Sequence, residues 1–374
     1  MRHYLLLYRA ISRTFGYWLR PLGAFGLLQV RQAISATTLA LDHLFFPGHR
    51  KQPIDRPIFI IGNPRSGTTF LHRLLLGAGD TAAFELWEML FPAITARKLL
   101  GRVIPRLDKL SPARYHPSDV HDTSLRGIET DDVMWFFRTL DGPFAWAYFL
   151  AWQDTWGSQL SRREFGIEGV TARAEERFFR YHEACWRRNL TLKRANRILA
   201  KTSMLTMRLD TLLRRYPDCR LVYVIRDPVE VIPSGMSLLA SVLENAYDVW
   251  NRTNTEDQQR WIENLYGASC SMLTSFHDAH AAGRIPERNL CVVRYEDLIG
   301  NLEPTMARIL DFVEVKPSAA FEEEVRAQGE RQRSYTSRHA HSPDQFGLSP
   351  ERIKSDLGFV YSAYGVSHAR DGST

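Results

Sequence analysis

Between residues 57 and 76 the sequence PIFIIGNPRSGTTFLHRLLL passes from an apolar run, through a loop bounded by glycines, to apolar residues at helical spacing. That order predicts a short strand, a tight turn and an amphipathic helix over 68–79. The alternation returns later in the chain. ILAKTS (198–203) reads as a strand end and Met207–Tyr216 as a helix. LVYVIRD (221–227) reads as a fully buried strand and Glu230–Ala246 as a helix. LCVVRYEDL (290–298) is a further strand, followed by a helix over Glu303–Val313. Strands alternating with helices predict a mostly parallel sheet covered on both faces, here a P-loop NTPase-like three-layer α/β/α core. Ligands of such sheets bind beyond the carboxyl ends of the strands. Gly62–Thr69, Lys201, Arg226 and Tyr295 all lie at such ends, so residues far apart in sequence can converge.

The pattern differs outside this rhythm. No Asp or Glu occurs before residue 42. Arg2, Arg9, Arg13 and Arg20 fall on one face of a helix, and Tyr4, Ile11, Phe15 and Trp18 on the other, with Pro21 ending it. Such a helix either lies on an anionic membrane through residues 1–20 or docks its apolar face on the body of the protein. AFELWEMLF (83–91) reads as a buried strand or turn entering a helix. Residues 101–132 read as loops over short helices, and 170–195 as a long polar helix. Aromatic residues concentrate at 133–156, among them Trp135, Phe136, Phe144, Trp146, Tyr148 and Trp152. The organisation expected is a helical extension over 1–50 and one domain over 51–374, with 133–195 as an insert.

Composition adds limits. The chain has 374 residues, 44% of them hydrophobic, with a net charge of +6. That balance fits an anionic cofactor, and equally nucleic acid or an acidic membrane surface; the partner expected is a small molecule or lipid, with no nucleic acid. Cys185, Cys219, Cys270 and Cys291 form no C-x-x-C pair, so buried reduced thiols are expected rather than a zinc site or disulfides. No apolar run approaches the roughly 18 residues a membrane span needs, and no secretory signal is convincing. A cytoplasmic protein, with or without membrane association, is the expectation.

Gly62-Asn63-Pro64-Arg65-Ser66-Gly67-Thr68-Thr69 has the length and glycine placement of a P-loop, but Thr68 stands at the lysine position and Arg65 brings a cation inside the loop. Loop amides and a helix N-terminus still make an anion cradle. The lysine that a nucleotide triphosphatase sets on its terminal phosphates is missing. In RDPVEVIPSGMSL, Arg226 leaves a strand and Ser234 follows eight residues later. Alone, Arg226 would be read as an ion pair with Asp227 or another carboxylate. Beside the loop, the pair reads as a second phosphate site.

With these motifs the chain resembles the sulfotransferases that use 3′-phosphoadenosine 5′-phosphosulfate (PAPS), most closely a bacterial-type branch with a PRSGTT loop. The 57–76 stretch is similar to that family's 5′-phosphosulfate loop, RDPVEVIPS to its 3′-phosphate motif and RYEDL to its Y-E-D-L strand end; HAHSPDQFGLSPERI resembles a segment of the bacterial branch. The resemblance implies that Arg65, Ser66, Gly67, Thr68 and Thr69 hold the 5′-phosphosulfate. It implies that Arg226 and Ser234 bind the 3′-phosphate, that Lys201 approaches the transferring group and that Tyr295 lies near the adenine. No metal is needed. Members with a K-T-H motif carry a histidine where this chain has Ser203. Other branches use a glutamate about twenty residues after the loop, where Glu85 stands. Glu85 is therefore the expected base, with Glu88, His116 and His121 as rivals, and His72 is read as structural. The basic run Arg331, Arg333, Arg338, His339 and His341 reads as a solvated loop, or as a cover over the nucleotide. Glu129, Asp131 and Asp132 read as an exposed acidic helix start. The aromatic insert favours a lipophilic small-molecule or lipid acceptor bearing a hydroxyl. The competing expectations are a nucleotide kinase or NTPase, and a non-catalytic membrane-associated nucleotide-binding protein.

Overall fold

The structure, a computed structural model, describes residues 2–107, 124–333 and 343–367. The chain divides into two compact units. The sheet unit comprises Asp55–Thr81, Leu199–Ser237 and Tyr266–Thr374, and the helical unit Met1–Ile54, Ala82–Ile198 and Leu238–Leu265.

The strands are β1 (Ile58–Ile61), β2 (Thr81–Ala82), β3 (Arg197–Lys201), β4 (Arg220–Ile225) and β5 (Leu290–Arg294), in the order β2-β3-β1-β4-β5. β1 pairs in parallel with both β3 and β4, and β4 with β5. Every residue of β1 and β3 is buried. A strand covered on both faces needs an unbroken apolar run rather than alternation, and IFII and LVYVI supply one. Ile60, Val222, Val224 and Val293 of the sheet pack with Leu71 and Leu75 of helix α3 (Thr68–Gly77), and with Met306 and Ile309 of the helix Leu302–Val313. Register places Ile60 opposite Lys201 and Val222, so the loop after β1 opens where β3 ends.

The alternation therefore forms a mostly parallel α/β sheet, as expected. The finer expectation of a P-loop NTPase-like three-layer core is not borne out. The expectation rested on the glycine spacing of residues 62–69. Such spacing constrains one strand–turn–helix joint and carries no information about the layers around it.

In the helical unit, α1 (Arg2–Phe15) buries Leu7, Ala10, Ile11 and Phe15. Phe15 stacks on Tyr247 and meets Trp152 edge-on, and Trp152 stacks on Trp261 at 5.1 Å. Trp146 and Trp152 are fully buried, so the largest rings of the aromatic stretch are core. Phe136, Phe144, Tyr148 and Phe149 are half-buried and touch one another. Pro21 does not close a helix; it stands in the first turn of a second one, α2 (Arg20–Phe45), where a missing N–H costs nothing. Glu129 and Asp131 are buried rather than exposed, and the Trp186 indole donates to Asp131 at 3.0 Å. The described residues contain no cluster able to hold a metal ion.

Candidate active site

The loop after β1 is shaped by two glycines that no other residue replaces. Gly62 has φ of 138°, and a Cβ there would lie 2.4 Å from the Val224 carbonyl oxygen. Gly67 has φ of 94°, and its Cβ would lie 2.8 Å from the Tyr295 ring. Between them Arg65 adopts φ of 73°, a left-handed conformation uncommon for a side-chain residue. The result is a tight turn that delivers the chain to the N-terminus of α3, where amide groups face outward without intrahelical partners. Ser66 is buried, and its hydroxyl donates to the Asn63 carbonyl at 2.8 Å, so this hydroxyl braces the turn. Thr68 is buried. Thr69, one residue into α3, accepts from Lys201 Nζ at 2.7 Å. Lys201 is only 5% exposed, held at the end of β3.

A second cationic cluster stands at the end of β4. Arg226 Nη1 donates to the Arg65 carbonyl at 3.0 Å, and the guanidinium lies 4.1 Å over the Tyr295 ring. Arg65 Nε donates to Ser234 Oγ at 3.2 Å. Burial, and then the neighbouring Arg226 charge, pull Arg65 below its ordinary pKa. Two guanidiniums held this close, with a hydroxyl beside them, fit a multiply charged anion. The structure thus brings together Arg65, Ser66, Gly67, Thr68, Thr69, Lys201, Arg226, Ser234 and Tyr295, all within the sheet unit.

Arg226 has a partner the sequence reading did not name. Its Nε and Nη2 both donate to Glu230 Oε2, at 3.1 and 2.8 Å. Asp227, the carboxylate considered instead, accepts from Tyr361 Oη at 2.7 Å and from the Val229 N–H at 2.9 Å. The signal for Glu230 was present: it follows Arg226 by four residues, one helical turn. Tyr295 spans Gly67 and Arg226, so its ring serves as a wall of the cradle. No sequence pattern announced that contact.

His72 is fully buried, and its Nε2 donates to the Leu199 carbonyl at 3.1 Å, tying α3 to β3. It is structural, as expected. His116 and His121 lie outside the described residues, as do Arg338, His339 and His341. Arg331 is exposed and donates to Gln328 on its own helix.

Glu85 belongs to the helical unit. It is half-buried at the N-cap of α4 (Leu86–Leu90), and its Oε2 accepts from the Trp87 indole at 2.7 Å. Glu88 is buried and spent on structure: one oxygen pairs with Arg97, the other accepts from Lys193 and from the Glu85 N–H, each at 2.9 Å. Glu88 is thus engaged by Arg97 and Lys193 and by the cap, whereas the Glu85 carboxylate accepts from the Trp87 indole.

Comparison with known proteins matches this arrangement. The model of the sulfotransferase family matches residues 57–318. Omega-hydroxy-beta-dihydromenaquinone-9 sulfotransferase Stf3 of Mycobacterium bovis, and that of Mycobacterium tuberculosis, are 25% identical over 264 residues, 68% of this chain. The match spans 62% of those relatives' own length. Among solved structures, sulfotransferase STF9 from Mycobacterium avium superposes with a TM-score of 0.66 at 17% identity, covering 88% of this chain and 82% of that one. Sulfotransferase STF1 from M. tuberculosis gives 0.61 at 21% identity, covering 95% and 91%. These likenesses define the fold and replace the P-loop NTPase-like core expected from the loop alone. The family match contains both the glycine-bounded loop and the Arg226–Ser234 motif, and the chain belongs to the sulfotransferase family.

Proposed function

We propose that this chain is a PAPS-dependent sulfotransferase that moves a sulfuryl group to the hydroxyl of a lipophilic acceptor. The observation that carries this is the pairing of two anion-binding places in one unit. One is the loop from Arg65 to Thr69 with Lys201, and the other is Arg226 with Ser234, which Arg65 joins to the loop. PAPS bears phosphates at both ends of its adenosine, and a triphosphate does not. The loop from Arg65 to Thr69 would hold the 5′ end, and Arg226 with Ser234 the 3′-phosphate. Tyr295, already against both, would border the adenosine. In the transfer, the bond from sulfur to the phosphate oxygen breaks, a bond to the acceptor oxygen forms, and the acceptor proton passes to the Glu85 carboxylate. Lys201 and Arg65 offset the negative charge that grows on the leaving phosphate. No metal has a part in this scheme.

The acceptor class rests on the half-buried rings Phe136, Phe144, Tyr148 and Phe149, and on the menaquinone-type acceptor in the name of the 25% identical relatives. A hydroxyl on a long apolar molecule fits both. Such an acceptor partitions into membranes, so a cytoplasmic enzyme with peripheral contact through residues 1–20 completes the reading; Arg9 and Arg13 of α1 are exposed there.

Calorimetric titration tests the core of it. Adenosine 3′,5′-bisphosphate should bind, and Mg-ATP should bind at least about a hundredfold more weakly for want of a 3′-phosphate, a difference of about 2.7 kcal/mol. Tight Mg-ATP binding with none to the bisphosphate would establish a kinase or NTPase. Transfer of label from PAPS to a lipid extract, lost in Arg65→Ala, separates an enzyme from a non-catalytic binder. Glu85→Gln should lower the transfer rate by about 10²–10⁴-fold with bisphosphate affinity unchanged; an unchanged rate moves the base to another residue.

A further inference from the structure

Helix α2 presents its apolar side outward. Its buried positions, Pro21, Leu28, Ser35 and Asp42, recur every seven residues and form one narrow stripe. Leu19, just before the helix, with Leu22, Leu27, Val30, Ile34 and Leu44, is exposed; Leu27 is 73% and Leu44 71% accessible. At ~100° per residue these six fall within an arc of about 140°. Among the described residues nothing covers them. Twenty-six residues make a face about 39 Å long. Exposed apolar faces of this extent mark interaction surfaces rather than ordinary solvent contact.

The charges around the face say what covers it. Residues 2–54 hold one carboxylate, Asp42, and it is fully buried. Arg9 and Arg13 are exposed on α1, which packs beside α2, and Arg50 and Lys51 are exposed just beyond its far end. The neighbouring helix α5 (Ile94–Leu100) adds exposed Lys98 and Leu99, with Lys98 lying 4.6 Å over the Phe46 ring. Cations at both ends of an uncharged apolar strip complement an anionic lipid surface. They oppose pairing with a second copy. Antiparallel pairing sets Arg9 and Arg13 against the partner copy's equally basic far end, and parallel pairing sets each cluster against itself, with no exposed carboxylate from residues 2–54 to relieve either. No described helix is long and apolar enough to cross a membrane.

We infer that the outward face of α2, between Leu19 and Leu44, is a docking surface for anionic lipid bilayers. This extends the membrane contact proposed above from residues 1–20 to a specific helix, and it does not depend on the transfer chemistry. The apolar side of α1 is already used inside the protein, so α1 contributes charge while α2 contributes apolar area.

The test is co-sedimentation of the full chain with vesicles of phosphatidylcholine alone and of phosphatidylcholine with phosphatidylglycerol. Wild type should sediment with the anionic vesicles. The triple variant L22Q/L27Q/V30Q should bind at least about tenfold less, while its melting temperature stays within a few degrees. Arg9→Gln with Arg13→Gln should weaken binding to the anionic vesicles alone, and added salt should do the same. Failure of wild type to sediment, or equal binding by the triple variant, overturns the inference. A concentration-dependent dimer that the triple variant abolishes would reassign the face to a second copy. Sulfuryl transfer to a water-soluble alcohol separates this question from the enzymatic one. The triple variant should keep that activity, and a wild type that binds vesicles but transfers nothing would sink only the enzymatic reading.

Discussion

At Gly67 two requirements meet at one atom. The backbone φ of 94° lies where a side chain is strained, and the space a Cβ would take belongs to the Tyr295 ring. That ring also lies beneath the Arg226 guanidinium. Gly67→Ala therefore acts twice, through the turn and through the support of Arg226. Chemical denaturation should show a loss of about 1–3 kcal/mol. Titration with adenosine 3′,5′-bisphosphate should show affinity down on the order of tenfold, about 1.4 kcal/mol. An alanine variant as stable and as tight-binding as wild type would mean that Tyr295 is not a wall of the cradle. The Arg65–Ser66–Thr69 stretch was legible because loop spacing is local. The tether of Arg226 to Glu230 was half legible, since a four-residue separation on a helix is a standing candidate for an ion pair. The Tyr295 contact was not, because it joins residues 228 positions apart.

At the scale of elements, the helical unit depends on one carboxylate. Asp42 of α2 accepts from the backbone N–H groups of Ile94 and Thr95 and from the Thr95 hydroxyl, each at 2.8 Å, and from Arg188 Nε at 2.7 Å. It caps α5 from a different helix and neutralises a buried arginine of the helix Ala172–Lys193. Three helices are pinned at one buried point. Asp42→Ala strands the Arg188 charge and uncaps α5, and the loss expected from thermal or urea unfolding is about 3–5 kcal/mol. A loss below about 1 kcal/mol would mean that water or a rearranged side chain takes over the role. Of these three helices the long polar one, found at Ala172–Lys193, was readable in the sequence, whereas the bounds of α2 and α5 were not. Which of their polar residues would be buried was not readable either. Asp42, and Glu129 with Asp131, look like surface carboxylates until the partner helices are in place.

At the scale of the molecule, the four thiols report on burial. Desolvation pushes Cys185 and Cys219 up to about 12 and Cys270 up to about 11, and it raises Cys291 as well. Alkylation needs the thiolate. Native protein at pH 8 should resist iodoacetamide at all four positions and react at all four once unfolded, as mass spectrometry would read. Rapid native labelling of Cys185 would place it in a cleft instead of the core. The sign for stability follows from the same shift. Below the ordinary thiol pKa of 9.0 both states hold the proton and the contribution is fully present. Above it the unfolded chain ionises first, so stability falls as pH climbs from about 9 toward the folded values.

By itself the sequence determined the strand–helix alternation, the parallel sheet, the glycine-bounded loop and the family. Each of these is written in residues near one another, or in motifs whose order along the chain suffices. Tertiary structure alone decided three things. It set the fold as that of the sulfotransferases and not of the P-loop NTPases, because the spacing of one loop says nothing of the layers around it. It turned Trp146 and Trp152 into core, leaving Phe136, Phe144 and Tyr148 half-buried, because the stretch is aromatic throughout and only packing partners separate inside from outside. It also turned the apolar side of α1 inward and that of α2 outward. Both helices carry enough apolar residues to face a core, and which of them does so is fixed by the helices that arrive from elsewhere in the chain.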